Sequence, residues 1–255
     1  MNPEIKAALR GKLLAMADDD LLLGHRNSEW TGHAPILEED IAFANIALDE
    51  IGHAKLWYEI LADLEGEDRE TYPDRLVFHR LTPAWRSAQI TELDKGDFAF
   101  TIVRQYLCDT AELARLEGLR TSSYTPVAEV ANKIIAEEHY HHRHTRAWVR
   151  RLGRGTEESH ERMERALHNL WPFTAQLFAP VPDEALLVEA GIVPDPQAVK
   201  EAWEGPVRAW LAECNLPAPE GLPPVNIGRE IHTEHLVTLL GEMQSVARLV
   251  PEGVW

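Results

Sequence analysis

Six residues of this chain have the types and spacing of a two-metal carboxylate site: Asp20, Glu50, His53, Asp109, Glu138 and His141. Glu50/His53 and Glu138/His141 are Glu-x-x-His pairs. Residues three apart on a helix project from one face, so a single metal ion can take both side chains. Each pair follows an aspartate at nearly the same distance. Asp20 lies 30 residues before Glu50, and Asp109 lies 29 before Glu138. That interval is one helical hairpin, which sets each aspartate opposite its pair. An acid from each of two helices, with Glu-x-x-His from each of the other two, is the donor set of di-iron and di-manganese carboxylate proteins. Four carboxylates and two imidazoles suit iron or manganese better than copper. The expected cofactor is therefore two iron ions, with manganese as the substitute. Two such ions bridged by carboxylates can activate dioxygen.

A lone Glu-x-x-His carries little weight, because 12 histidines give roughly one match by chance. The third match here, Glu157/His160, has Val127 and Ala128 at the hairpin offsets and falls at a helix start. It is expected to be a solvated capping turn. Asp18-Asp19-Asp20 can instead be a solvated acidic patch, and Glu112 can replace Asp109 as ligand; spacing leaves both open. His139 and His142 rotate off the Glu138 stripe and are expected not to be ligands. His232, His235 and Glu242 lack partner acids and are expected to be structural or interfacial.

The elements that must position these residues are long amphipathic helices, and no convincing β-alternation is present. The first helix is predicted from about Pro3 to Trp30, with a stripe of Leu9, Leu13, Met16, Asp20, Leu23 and Asn27. The second runs from about Leu37 to Leu64 with Phe43, Ile46, Glu50, His53 and Trp57. Residues 66–95 read as a crossover with little regular structure. The third helix spans about Phe98 to Arg120, with Ile102, Gln105, Asp109, Glu112 and Leu116 on one face. The fourth spans about Val127 to Leu152 with Ile134, Glu138, His141, Thr145 and Trp148. Every stripe holds an acid and none holds a lysine or arginine, so converging them requires a cation. A fifth helix is predicted from about Thr156 to Phe178, one or two short helices in 179–225, and a last helix from about Gly228 to Val250. The fold expected is all-α: a ferritin-like four-helix bundle with additional C-terminal helices. It forms a single domain over 1–255, with the bundle core at about 3–152 and the extension at about 156–255.

Composition narrows the function. A net charge of −17 excludes the basic footprint that nucleic acid or anionic membrane requires. No apolar run approaches the roughly 18 residues of a membrane span. Met1-Asn2-Pro3-Glu4 lacks a secretion-signal pattern, and Cys108 and Cys214 stand far apart, so a reducing cytoplasm is expected. Two cysteines cannot hold an iron–sulfur cluster, and no Gly-rich dinucleotide loop is present. Electrons for redox chemistry must come from another polypeptide.

Leu23-Gly24-His25-Arg26-Asn27-Ser28-Glu29-Trp30-Thr31-Gly32-His33-Ala34-Pro35, then Leu37-Glu38-Glu39-Asp40-Ile41-Ala42 and Asn45-Ile46-Ala47-Leu48-Asp49, resemble the C subunit of the bacterial phenylacetyl-CoA epoxidase complex. Leu170-Trp171-Pro172-Phe173-Thr174, His232-Thr233-Glu234-His235-Leu236, Glu242-Met243-Gln244 and Pro251-Glu252-Gly253-Val254-Trp255 agree. The resemblance implies a multicomponent monooxygenase that epoxidises the aromatic ring of phenylacetyl-CoA. It implies a homologous catalytic A-type subunit with a di-iron centre, and a separate reductase subunit. The resemblance also has a departure. Typical C subunits carry apolar or amide residues at the ligand positions, whereas this chain resembles the A subunit at Asp49-Glu50-Ile51-Gly52-His53, Asp109 and Glu137-Glu138-His139-Tyr140-His141. The expected function is a subunit of this complex that pairs with the di-iron subunit and can bind a di-metal centre itself. The alternatives are a metal-free structural partner and a stand-alone ferritin-like di-iron oxidase or metal-binding protein.

Overall fold

The computed structural model describes residues 1–225, 228–250 and 253, and all regular structure among them is helical. Of the motif Pro251-Glu252-Gly253-Val254-Trp255, only Gly253 lies among the described residues.

Helix α1 (Pro3–Ser28) starts where the Asn2 side chain accepts the Glu4 N–H at 2.9 Å, with Pro3 in the first turn. Helix α2 (Leu37–Glu65) stops at Gly66, whose φ of 76° is left-handed and whose N–H closes on the Ala62 and Asp63 carbonyls. The two lie antiparallel: Arg10 meets Glu65, Asp18 meets Tyr58, and Asp20 meets Trp57. Gly24 allows their close approach, since a Cβ there would stand 3.0 Å from the Ala47 carbonyl oxygen and from Glu50 Cβ.

The crossover holds more order than the sequence suggests. It contains α3 (Tyr72–Phe78), a 3-10 turn (Thr82–Ala84) and α4 (Gln89–Glu92). The Asp18-Asp19-Asp20 run fixes it and is no solvated patch, since all three are buried. Asp18 binds Arg80, Tyr58 and the Arg86 N–H. Asp19 binds the Ala88 N–H and Arg229.

Helix α5 (Phe98–Leu119) is capped by Asp97, which accepts the Phe100 N–H at 2.9 Å. It runs antiparallel to α6 (Thr125–Gly153): Asp109 meets Thr145 and Arg120 meets Asn132. The α1–α2 hairpin joins the α5–α6 hairpin mainly through α2 and α6.

Beyond this ferritin-like bundle, α7 (Glu157–Leu170) is capped by Thr156 and gives way at Pro172 to a 3-10 stretch. Then follow α8 (Glu184–Glu189) and α9 (Pro196–Glu213), the latter longer than expected and carrying Pro206 in its interior. The predicted last helix is shorter than expected, and only α10 (Glu234–Met243) and α11 (Ser245–Leu249) form. Tertiary bonds take the remainder. Arg229 is held by Asp19, and the Thr233 N–H and hydroxyl both donate to buried Glu92.

Two apolar clusters fill the bundle. One contains Leu13, Trp57, Leu116 and Ile134. The other contains Leu23, Phe43, Ile102 and Val149. The acids of the four stripes lie in sequence between the two sets, as a polar layer inside an apolar column.

Candidate metal centre

The four stripes converge as their spacing requires. Asp20 comes from α1, Glu50 and His53 from α2, Asp109 from α5, and Glu138 and His141 from α6. All six are at most 5 % exposed. Asp20, Glu50, Asp109 and Glu138 line a small internal cavity of about 20 Å³, together with Glu112, Arg115 and Cys108. A space of that size admits about one water or ion.

The tightest group is Glu50, Glu138 and His141, one donor atom from each lying within 4.8 Å of the others. Such a buried group could hold a metal ion. His53 adjoins it, with Nδ1 3.3 Å from Glu138 Oε1 and 4.0 Å from Glu50 Oε2. His141 Nδ1 is likewise 3.3 Å from Glu138 Oε1. Asp20 and Asp109 stand outside the tight group, each held by neighbours. The Trp57 indole donates to Asp20 at 3.1 Å. Gln105 and Thr145 donate to Asp109 at 2.6 and 2.8 Å, and Gln105 also donates to Glu50 at 2.8 Å. Asn27 in turn donates to Gln105.

The donor set passes a test of fit for a metal. Both Glu138 oxygens and both imidazole Nδ1 atoms are buried without a hydrogen-bond partner. Buried polar atoms are seldom left so, and these four point to a shared missing partner. The other nitrogen of each imidazole is held by a carboxylate: His53 Nε2 by Glu137 at 2.8 Å and His141 Nε2 by Asp49 at 3.2 Å. Carboxylates that orient metal-binding imidazoles in this way are the usual outer shell of such centres.

Without metal, protons balance the charge. Burial and then the Glu138 charge push Glu50 up to about 7. Burial also drives Asp20 and Asp109 well above the usual carboxylate range. For the imidazoles burial works downward, but the Glu138 and Glu50 charges prevail and raise His53 to about 9 and His141 to about 10. Glu138 shows the converse: burial works upward, yet the two imidazoles hold it at about 2.

The structure corrects one inference and places the other candidate residues. The stripes contain no cation, but Arg115, three residues past Glu112 and off the stripe, reaches back to bind it in the interior. Part of the negative charge is therefore balanced by the protein: Glu112 pairs with Arg115 through Oε2, while its Oε1 is buried without a hydrogen-bond partner on the same cavity. Glu157 is exposed, and half-buried His160 binds the Gly153 carbonyl, as expected of a capping turn. His139 is exposed and His142 stacks on Tyr106. His232 pairs with Glu92 and His235 with Asp94. Sequence spacing assigned no role to Asp49, Glu137 or Gln105. The signal for the first two was present, since each immediately precedes the glutamate of a Glu-x-x-His pair.

The whole chain, residues 1–255, matches the family described as phenylacetic acid catabolic protein. The chain is 39% identical over 243 residues to the C subunit of 1,2-phenylacetyl-CoA epoxidase from Escherichia coli (strain K12), a match spanning 95% of this chain and 97% of that protein.

Proposed function

The chain belongs to the phenylacetic acid catabolic protein family, and we propose that it serves as the C-type subunit of a phenylacetyl-CoA epoxidase. In this reading it works in the cytoplasm, since among the described residues no helix is long and apolar enough to cross a membrane and both cysteines are free. It pairs with a homologous catalytic A-type subunit and takes electrons from a separate reductase, having no electron-carrying motif of its own. A partner interface of well over roughly 1,000 Å² is expected.

We further propose that Asp20, Glu50, His53, Asp109, Glu138 and His141 hold two iron ions, with manganese as the substitute. Iron held in that layer supplies dioxygen activation. The chain's own residues orient the donors, exclude water with the apolar clusters above and below, and give up protons to the solvent when the metal enters. The observation that carries this reading is the unpartnered Glu138 carboxylate between two imidazoles whose outer nitrogens are already tied to carboxylates. A second reading, a metal-free structural partner, is favoured by the Arg115–Glu112 ion pair and the Gln105 bonds, which already neutralise part of the layer.

Elemental analysis separates the two. The chain is produced in iron-supplemented medium with and without the homologous subunit. The di-metal reading expects iron or manganese approaching two per chain, and less than about a tenth of an atom would leave the structural reading. Failure of the two subunits to co-purify would overturn the assembly.

A further inference from the structure

Two acids of α5 reach the buried cavity, and they differ in what holds them. Both oxygens of Asp109 already accept hydrogen bonds, Oδ1 from Gln105 and Oδ2 from Thr145. Glu112 follows three residues later and shares the helix face. It is 8% exposed, and its Oε1 is buried without a hydrogen-bond partner among the described residues. It lines the cavity together with Asp20, Glu50, Asp109 and Glu138. A buried carboxylate oxygen left unpaired costs free energy, so its partner is to be sought in that cavity.

The other oxygen fixes the orientation. Glu112 Oε2 is held by Arg115, and the Arg115 guanidinium also donates to the Leu177 carbonyl at 3.3 Å. A carboxylate pinned through one oxygen presents the other as a single, oriented donor. Arg115 is itself 5% exposed and lines the cavity. The charges agree with this arrangement. Apart from Asp19, which pairs with Arg229, five carboxylates line the cavity. Arg115 supplies the positive charge that lets the fifth join two divalent ions without excess negative charge.

We propose that Glu112 is a seventh metal donor, its Oε1 binding one of the ions while Oε2 stays on Arg115. Arg115 is then a positioning residue, and Leu177 ties the C-terminal extension to the metal layer through it. This inference rests on the di-metal reading and adds a donor to it.

Anomalous diffraction from crystals of the full chain grown with Mn(II) tests the proposal directly. Glu112 Oε1 is expected within roughly 2.0–2.5 Å of an ion, with Arg115 still on Oε2. Ions in the layer with Glu112 Oε1 beyond about 3.5 Å, or joined to them only through water, would overturn the inference and leave the di-metal reading standing. No anomalous peak in the layer would overturn both. In solution, Glu112→Gln combined with Arg115→Met removes the donor with its anchor and leaves the net charge unchanged. Competition against a chromophoric chelator should show Mn(II) bound at least about tenfold more weakly than by wild type. Lys12 and Glu184 form another buried ion pair, away from the cavity. Lys12→Met combined with Glu184→Gln should leave the affinity as in wild type. Equal affinities for wild type and the Glu112 variant, or an equal loss in the Lys12 variant, would each overturn the proposal.

Discussion

His53 and Glu137, from α2 and α6, meet Nε2 to Oε2 at 2.8 Å. The contact has a counterpart in His141 and Asp49, from α6 and α2. Each carboxylate therefore holds the imidazole of the other helix, and each sits one residue before a glutamate of the buried acidic layer. The two Glu-x-x-His motifs are cross-braced, and both inner nitrogens are left aimed at Glu138.

Removing either brace should loosen the imidazole without emptying the site. Glu137→Gln and Asp49→Asn are expected to weaken metal binding by roughly 10–100-fold. Both acids are partly exposed, so stability should change by less than about 1 kcal/mol. Competition against a chromophoric chelator measures the affinity, and an unchanged value would remove the orienting role.

The metal-free protein should lose stability as pH rises. Glu50 goes from 4.5 to about 7, His53 from 6.5 to about 9 and His141 from 6.5 to about 10 on folding. Asp20 and Asp109 move in the same direction. The folded state thus binds more protons than the unfolded one, and stability falls with pH wherever that holds. The histidine contribution is complete below about pH 6.5 and is lost as pH climbs through 9 to 10. Glu138 acts oppositely, but only as pH falls from 4.5 toward 2. Chelator-treated protein should therefore show a melting temperature that declines steadily from about pH 6 to pH 9. A flat or rising curve would mean the layer is not protonated in this way.

Neutralising single acids should split the layer. From the sequence, Glu138→Gln is expected to weaken metal binding while costing the metal-free fold little. The structure moves that outcome to Glu50, whose charged form the fold disfavours, whereas the charged form of Glu138 is held by two imidazoles. Glu50→Gln should stabilise the metal-free protein by on the order of 2 kcal/mol at pH 8, and Glu138→Gln should destabilise it. Both should bind metal poorly. Anaerobic melting curves with and without Fe(II) decide the matter, and two variants of equal metal-free stability would contradict the assignment.

Glu157 and His160 serve as the internal control. Changing both to alanine should leave metal content as in wild type, because neither reaches the layer and His160 is tied to the Gly153 carbonyl. Metal loss comparable to that of a Glu138 variant would undo the hairpin logic.

Sequence periodicity by itself determined the four long helices, their pairing into two hairpins and the convergence of six acidic and imidazole side chains in one buried layer. All of these follow from local spacing: a helix has one period, and a hairpin of fixed length returns Asp20 to Glu50 and Asp109 to Glu138. The tertiary structure decided what spacing cannot encode. Arg115 balances Glu112 because a long side chain can reach back from off the stripe. The crossover and the segment around Arg229 and Thr233 follow buried Asp18, Asp19 and Glu92 rather than helix propensity, since a buried carboxylate must find donors wherever the chain can supply them. The reciprocal braces, His53 to Glu137 and His141 to Asp49, exist only because α2 and α6 meet, a contact between hairpins that neither helix specifies alone.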